Sequence, residues 1–158
     1  MESAVNRPVD RWFDAYSADH QHPTNQLLHV LCVPAIVWSV MALLYAIPLG
    51  GMLPIGIVAF VAALGTALFW CRLSWLLGLG ATALLLVSLW SIEALRQQFG
   101  IAVLVWSAIA VFVIAWIGQF IGHYYEGKRP SFFTDLVYLL VGPIWVLGKL
   151  YRRLSIAI

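Results

Sequence analysis

The chain has 158 residues, of which 63% are hydrophobic and only 10% are charged, and its mean hydropathy is +0.91. This composition excludes an ordinary soluble globular domain and indicates an integral membrane protein in contact with membrane lipid. The formal net charge of +2 is too small, and the Lys and Arg residues are too scattered, to indicate nucleic-acid binding.

The polar N-terminal segment ends in a cluster of histidines. Three of the four histidines in the chain fall within ten residues: His20, His22 and His29. We expect an irregular backbone over residues 17–21, followed by a helix that starts near Pro23 with Thr24 or Asn25 as its N-cap. His29 would then lie about one turn inside that helix. We expect no cleavable signal peptide, because the first apolar run is too long and lacks a cleavage site.

Four apolar runs of about 20 residues follow, at 27–47, 52–70, 73–92 and 101–121. At a rise of about 1.5 Å per residue, a helix of this length crosses a hydrocarbon core about 30 Å thick. The connections between the runs are short, so that consecutive helices should be antiparallel neighbours. We therefore predict an all-α fold: an integral-membrane four-helix bundle, formed as a single transmembrane domain over residues 1–158.

A fifth apolar run, at 136–148, is shorter and is interrupted by Gly142 and Pro143. About 13 apolar residues are too few to cross a bilayer as a helix. We predict an additional C-terminal segment that is re-entrant or lies at the interface.

The basic residues predict how the chain is oriented. They lie before the first run, between the second and third, and after the fourth: Arg7, Arg11, Arg72, Lys128 and Arg129. The positive-inside rule then places both termini in the cytoplasm, at the inner membrane of a bacterium or the endoplasmic reticulum of a eukaryote. Since the number of crossings is even, the N-terminal histidines and the fourth histidine, His123, should share one membrane face.

The end of the fourth run carries a second group of polar residues, namely Gln119, His123 and Glu126. They are four and three residues apart and would project from one side of a helix that ends near Gly127. Histidine and carboxylate side chains are common metal ligands, and ionisable groups at a bilayer are expensive to keep. We predict one metal site, with His20, His29 and His123 as leading ligands and with His22 and Glu126 as further candidates.

Each of these residues also has a structural interpretation. Any one histidine could be hydrogen-bonded or reach the interface without binding metal. Glu126 could pair with Lys128 or Arg129, and Asn25 could be a plain N-cap. Asn25 and Gln119 are candidates for hydrogen bonds that orient the ligands. The basic residues Arg72, Lys128 and Arg129 could mark topology or receive an acidic headgroup.

Two stretches resemble the signatures of a known family. Residues 16–29, YSADHQHPTNQLLH, join a tyrosine, a histidine, a Pro-x-Asn turn and a second histidine, and Pro34 follows. Residues 116–131, WIGQFIGHYYEGKRPS, contain Gln-x-x-Gly-His followed by a glutamate and a proline. Both resemble the small membrane proteins related to the fungal 2-hydroxy fatty acid dioxygenase. One departure is that the glutamate follows His123 by three residues rather than four.

The resemblance implies an iron(II)-dependent dioxygenase that shortens 2-hydroxy fatty acids by one carbon, a step of α-oxidation used in phytosphingosine breakdown. Its cofactor would be Fe²⁺, and its substrates a 2-hydroxy fatty acid and dioxygen. Tyr16 of the first signature would support the metal ligands, and Lys128, Arg129 or Arg72 would attract the substrate carboxylate. Three protein ligands leave three positions open on an octahedral ion, enough for both substrates.

Other classes of protein stay open at this point. A membrane di-iron hydroxylase normally needs about eight clustered histidines, and this chain has four. A transporter subunit should carry polar groups near the bilayer midplane, where the second and third runs offer only Ser and Thr. A haem-binding bundle could use His29 and His123 as axial ligands. Nothing in the sequence indicates an oligomeric state.

Overall fold

The computed structural model describes residues 8–51, 53–127 and 135–156, and all regular structure in these ranges is helical. Five helices follow one another: α1 (Pro8–Asp19), α2 (Pro23–Tyr45), α3 (Ile57–Leu73), α4 (Trp75–Glu126) and α5 (Asp135–Arg153). The predicted all-α class is thus confirmed.

Helix α1 was not predicted. Pro8 occupies its first position, where a backbone N–H would have no partner within the helix, so its absence costs nothing. The negative charge of Asp10 in the first turn interacts favourably with the positive end of the helix dipole. Its buried face is formed by Val9, Phe13 and Tyr16, which are four and three residues apart. The expectation of irregular backbone over residues 17–21 was wrong for residues 17–19, because the helix continues to Asp19, and is confirmed for His20 and Gln21.

Helices α2 and α3 match the first two apolar runs. Helix α2 passes through Pro34 without ending. Its N-cap is His22, whose ring Nδ1 accepts a hydrogen bond from the backbone N–H of Thr24 at 3.2 Å. The prediction of Thr24 or Asn25 as N-cap was therefore wrong, and both residues lie in the first turn.

Helix α4 contains the third and fourth apolar runs, divided at Gly100. This residue has φ 83° and ψ 171°, a backbone conformation that only glycine adopts readily. Along α2, Trp38 bonds to Ser91 and Tyr45 to Glu93, so residues 75–99 run parallel to α2. The bond from Asn25 to Glu126 shows that residues 101–126 return antiparallel to it. The predicted eight-residue connection at 93–100 was wrong, since the helix continues to Phe99.

Helix α5 is longer than the predicted segment and continues through Gly142 and Pro143. Its buried residues Val141, Ile144 and Trp145 recur at helical spacing and contact the other helices. The Gly142-Pro143 pair that interrupts the apolar run thus lies inside a continuous helix. Arg152 and Arg153 lie in the last turn, where positive charges interact favourably with the negative end of the helix dipole.

Much of the surface of α3 and α4 is apolar. Leu64, Trp75, Trp90, Trp106 and Ile114 are each at least 62% exposed. In the described part of the chain, α2 and α4 are long and apolar enough to cross a membrane, and α3 is an apolar helix of 17 residues. Exposed apolar area of this extent indicates contact with lipid or another apolar partner.

Candidate metal centre

Three helix ends bring three histidines together. His20 lies in the short link after α1, His29 in the second turn of α2, and His123 in the last turn of α4. Their side chains are buried, and one ring nitrogen of each lies within 4.8 Å of those of the other two. This group contains no other residue from the described part of the chain.

Backbone carbonyls fix the orientation of two of the rings. Nδ1 of His20 lies 2.6 Å from the carbonyl oxygen of Tyr16, and Nδ1 of His29 lies 2.9 Å from that of Asn25. A carbonyl oxygen only accepts, so Nδ1 carries the proton in both rings. When both rings are neutral, the two Nε2 atoms therefore both present lone pairs, and they face each other at 3.0 Å.

A metal ion fits this arrangement. Two ring nitrogens about 2.1 Å from an ion and at right angles to each other would lie about 3.0 Å apart. Burial lowers the pKa of His20, which favours the neutral imidazole that ligates metals. Imidazole suits iron, zinc, copper and nickel. Three such ligands can hold a metal cofactor, in agreement with the metal site predicted from the sequence.

Buried polar atoms around the group also lack partners. Asn25 Oδ1, Gln119 Nε2 and His123 Nδ1 have no hydrogen-bond partner among the described residues. Such orphaned atoms are costly unless an ion, water or ligand satisfies them. All three belong to residues that the sequence assigned to the site, and a bound ion with its own ligands would satisfy them.

Aromatic rings support His20. The Tyr16 ring stacks on the His20 ring, with centroids 4.1 Å apart and an angle of 9° between the planes. Trp145 of α5 packs against both rings, and its Nε1–H donates to Ser17 Oγ at 2.9 Å. Sequence reasoning missed Trp145 and Ser17. The signal for Trp145 was the apolar spacing of α5, which predicts a buried face but not its neighbour.

Glu126 lies outside the three-histidine group. Its Oε1 accepts the backbone N–H of Gln21, and its Oε2 accepts the backbone N–H of His22 and Asn25 Nδ2, all at 2.9 Å. The carboxylate thus joins the end of α4 to the link between α1 and α2. The His22 ring caps α2 and stacks near Tyr125. The structure does not bring His22 or Glu126 into the group.

Small residues allow α2 and α4 to approach closely at the site. A Cβ at Gly122 would lie 2.5 Å from Asn25 Oδ1, and a Cβ at Gly118 would lie 2.6 Å from Cys32 Sγ. Glycines four residues apart are a common device for close helix packing in membranes. This packing places His123 opposite His29.

The structure describes only one of the three predicted carboxylate-binding residues. Arg72 is exposed in the last turn of α3, and the structure does not bring it into the group. Lys128 and Arg129 lie outside the described residues. Lys149 of α5 is close instead: its Nζ donates to Gln26 Oε1 at 2.6 Å, and Gln26 Nε2 donates to the carbonyl oxygen of His20 at 2.8 Å.

Comparison with known proteins gives a family match over most of the chain. Residues 6–154 match the family model described as "2-hydroxy-palmitic acid dioxygenase Mpo1-like". The chain is also 31% identical over 148 residues to the 2-hydroxy-palmitic acid dioxygenase MPO1 of Saccharomyces cerevisiae, covering 89% of this chain and 78% of that protein. No solved structure matches the chain significantly.

Proposed function

This chain belongs to the Mpo1-like family, and we propose that it is an iron(II)-dependent dioxygenase that shortens 2-hydroxy fatty acids by one carbon. The family supports an enzyme acting in 2-hydroxy fatty acid metabolism. The observation that carries the iron site is the pair of facing lone pairs on His20 and His29, 3.0 Å apart beside His123. Two unprotonated nitrogens at this distance repel each other unless a cation lies between them.

When bound, iron(II) supplies the electron transfer to dioxygen that the side chains themselves cannot perform. The residues of the chain have distinct tasks around it. The carbonyls of Tyr16 and Asn25 hold the protons on Nδ1, so that Nε2 of His20 and His29 is available to the ion. The rings of Tyr16 and Trp145 cover His20 and exclude water from that side. Glu126 holds the link that carries His20.

We further infer that the helices cross a membrane four times, with the histidines at the cytoplasmic face. The reversal at Gly100 is the support, because it returns the end of α4 to the start of α2. Helices α2 and α4 have the required apolar length. The outward apolar residues of α3 and α4 would face lipid.

Haem binding, the main alternative, fits less well. A haem held by His29 and His123 would need its macrocycle between the two rings, whose centroids are 5.2 Å apart. Nε2 of His20 already lies 3.0 Å from Nε2 of His29 in that space. The convergence of three rings favours a bare ion, and a purified protein without intense visible absorption would agree with it.

The test combines metal analysis with an assay of purified protein in iron(II), oxygen and 2-hydroxypalmitate. His29→Ala and His123→Ala should each lose bound iron and the product that is one carbon shorter. His22→Asn is the matched control, because asparagine keeps an N-cap for α2 while removing the imidazole. We expect this variant to keep both iron and activity. Full activity in either alanine variant would contradict the proposal.

A further inference from the structure

An apolar groove runs along the side of α2. It has a volume of about 370 Å³, within the range of small-molecule sites, and lies between α2, α5 and the first half of α4. Its lining is almost entirely apolar, with Val30, Leu84 and Leu147 among the lining residues. The groove runs along α2 from Pro23 to Val37, a length of about 21 Å at the helical rise.

The polar and charged lining residues are unevenly distributed along this groove. Gln26, Lys149 and Arg153 lie at the end near Pro23, where α2 begins. At the other end, Ser88 donates its hydroxyl to the carbonyl oxygen of Leu84 in its own helix. The groove therefore offers cations at one end and hydrocarbon surface along the rest, which complements an anionic headgroup on a long acyl chain.

The cationic end also adjoins the metal centre. Gln26 Nε2 donates to the backbone of His20, and Lys149 Nζ lies 3.9 Å from the centroid of the Trp145 ring. That ring is 5.8 Å from the His20 ring, centroid to centroid. Lys149 therefore neighbours the metal centre through Gln26 and the Trp145 ring, while the three histidines are not among the residues that line the groove.

We propose that this groove binds the acyl chain of a fatty acid, with the carboxylate at Lys149 and Arg153 and the tail running toward Val37. This inference rests on the proposed function, because the groove would hold the acyl chain of the substrate that reacts at the metal centre. Its length of about 21 Å exceeds the depth of one leaflet, about 15 Å, so the groove is long enough for an acyl chain of the length found in membrane lipids. The residues at the Val37 end would then determine which lengths of acyl chain fit the groove.

Two tryptophan substitutions test the groove. Val30 lines it, and the neighbouring Leu31 is exposed on α2 but does not. We measure equilibrium binding of labelled 2-hydroxypalmitate to iron-loaded protein without oxygen, so that no turnover occurs. Val30→Trp should weaken binding at least tenfold, and Leu31→Trp less than twofold, with iron content unchanged in both. Equal binding by the two variants would overturn the proposal.

The charge at the head end has its own test. Lys149→Met should weaken binding of 2-hydroxypalmitate about tenfold and leave binding of the uncharged hexadecane-1,2-diol unchanged, since only the carboxylate meets the ammonium. An equal loss for both ligands would contradict a carboxylate site. Co-purifying phospholipid that 2-hydroxypalmitate cannot displace would assign the groove to bilayer lipid and also overturn the proposal.

The two proposals fail separately. If the wild-type protein binds 2-hydroxypalmitate in a Val30-dependent way but does not shorten it in air, the dioxygenase function fails and the groove assignment stands. If the protein shortens the acid and Val30→Trp does so with an unchanged KM, the groove assignment fails and the function stands.

Discussion

Replacing Glu126 with glutamine distinguishes a carboxylate that ligates the ion from one that holds the ligands in place. The side chain accepts three hydrogen bonds at 2.9 Å, two on Oε2 and one on Oε1. A glutamine can keep the two bonds on Oε2, from His22 and Asn25, but its NH₂ group then faces the N–H of Gln21. Losing one charge-assisted bond costs about 1.5–3 kcal/mol.

The same substitution should also weaken metal binding. Groups that orient metal ligands typically contribute about 10–100-fold to metal affinity, which corresponds to about 1.4–2.8 kcal/mol. The two ranges are similar. Gln21 and His22 directly follow His20, so that weaker binding of their N–H groups loosens the link that carries this ligand. We expect iron(II) affinity, measured by chelator competition, to fall between tenfold and a hundredfold in Glu126→Gln.

Cobalt(II) substitution separates the two roles of Glu126. The visible absorption bands of bound cobalt report its ligand atoms, so Glu126→Gln should leave the band positions unchanged. A shifted spectrum would show that the carboxylate is a ligand and refute the positioning role. Glu93→Gln is the matched control, because Glu93 also accepts from three side chains, Tyr45, Arg96 and Gln97, at the opposite end of α2. It should lower stability without changing iron affinity.

Three glycine substitutions test the helix packing and the turn at Gly100. Gly122→Ala places a methyl group 2.5 Å from Asn25 Oδ1. The resulting overpacking costs about 1–3 kcal/mol, which should outweigh the gain of about 1 kcal/mol from the higher helix propensity of alanine. We therefore expect both Tm and iron affinity to fall. Gly65→Ala, where nothing lies within 4 Å, should not lower Tm, and an equal response of the two variants would contradict the packing argument. Gly100→Ala forces alanine into φ 83° and should cost about 1–3 kcal/mol in thermal unfolding, with iron affinity retained. An unchanged Tm would show that the turn tolerates a side chain.

Hydropathy was sufficient to find the long helices but not their ends. The apolar runs at 27–47 and 52–70 correspond closely to α2 and α3. The predicted connection at 93–100 is wrong because Glu93 and Arg96, which end the apolar run, lie inside α4. In the structure Arg96 forms a salt bridge to Glu93 at 2.7 Å, and Tyr45 also bonds to Glu93. Because Glu93 and Arg96 pair with each other within α4, and Glu93 also accepts a hydrogen bond from Tyr45 of α2, the helix can continue to Phe99.

The polar helix α1 was missed for a related reason. Its apolar positions, Val9, Phe13 and Tyr16, show helical spacing, but they are few and lie among charged residues. A short helix of this kind is marginal by itself and depends on tertiary packing. That packing is provided by α5, whose Trp145 contacts Tyr16. The local sequence of α1 does not show that it packs against α5, and the local sequence of α5 does not show that it packs against α1.

For the site, counting the apolar runs was more informative than local spacing. His29 and His123 are far apart in sequence, and an even number of helices between them was enough to expect them at the same end of the bundle, where the structure places them. Spacing alone suggested that Glu126, three residues after His123, would share its role. Its carboxylate instead meets the N–H groups of Gln21 and His22, whose direction depends on the link conformation after α1. Sequence pattern does not determine that conformation.

The position of His20 explains why the site depends on three separate helices. Its ring is held from α1 by the Tyr16 carbonyl, while its backbone carbonyl receives Gln26 of α2. Its Nε2 then faces that of His29, an arrangement that is unfavourable without a cation. The helix packing must therefore supply the energy that keeps these lone pairs together, and a bound ion would return part of it as stability. An ion bound at this site would thus stabilise the docking of α1, whose Tyr16 carbonyl orients the His20 ring.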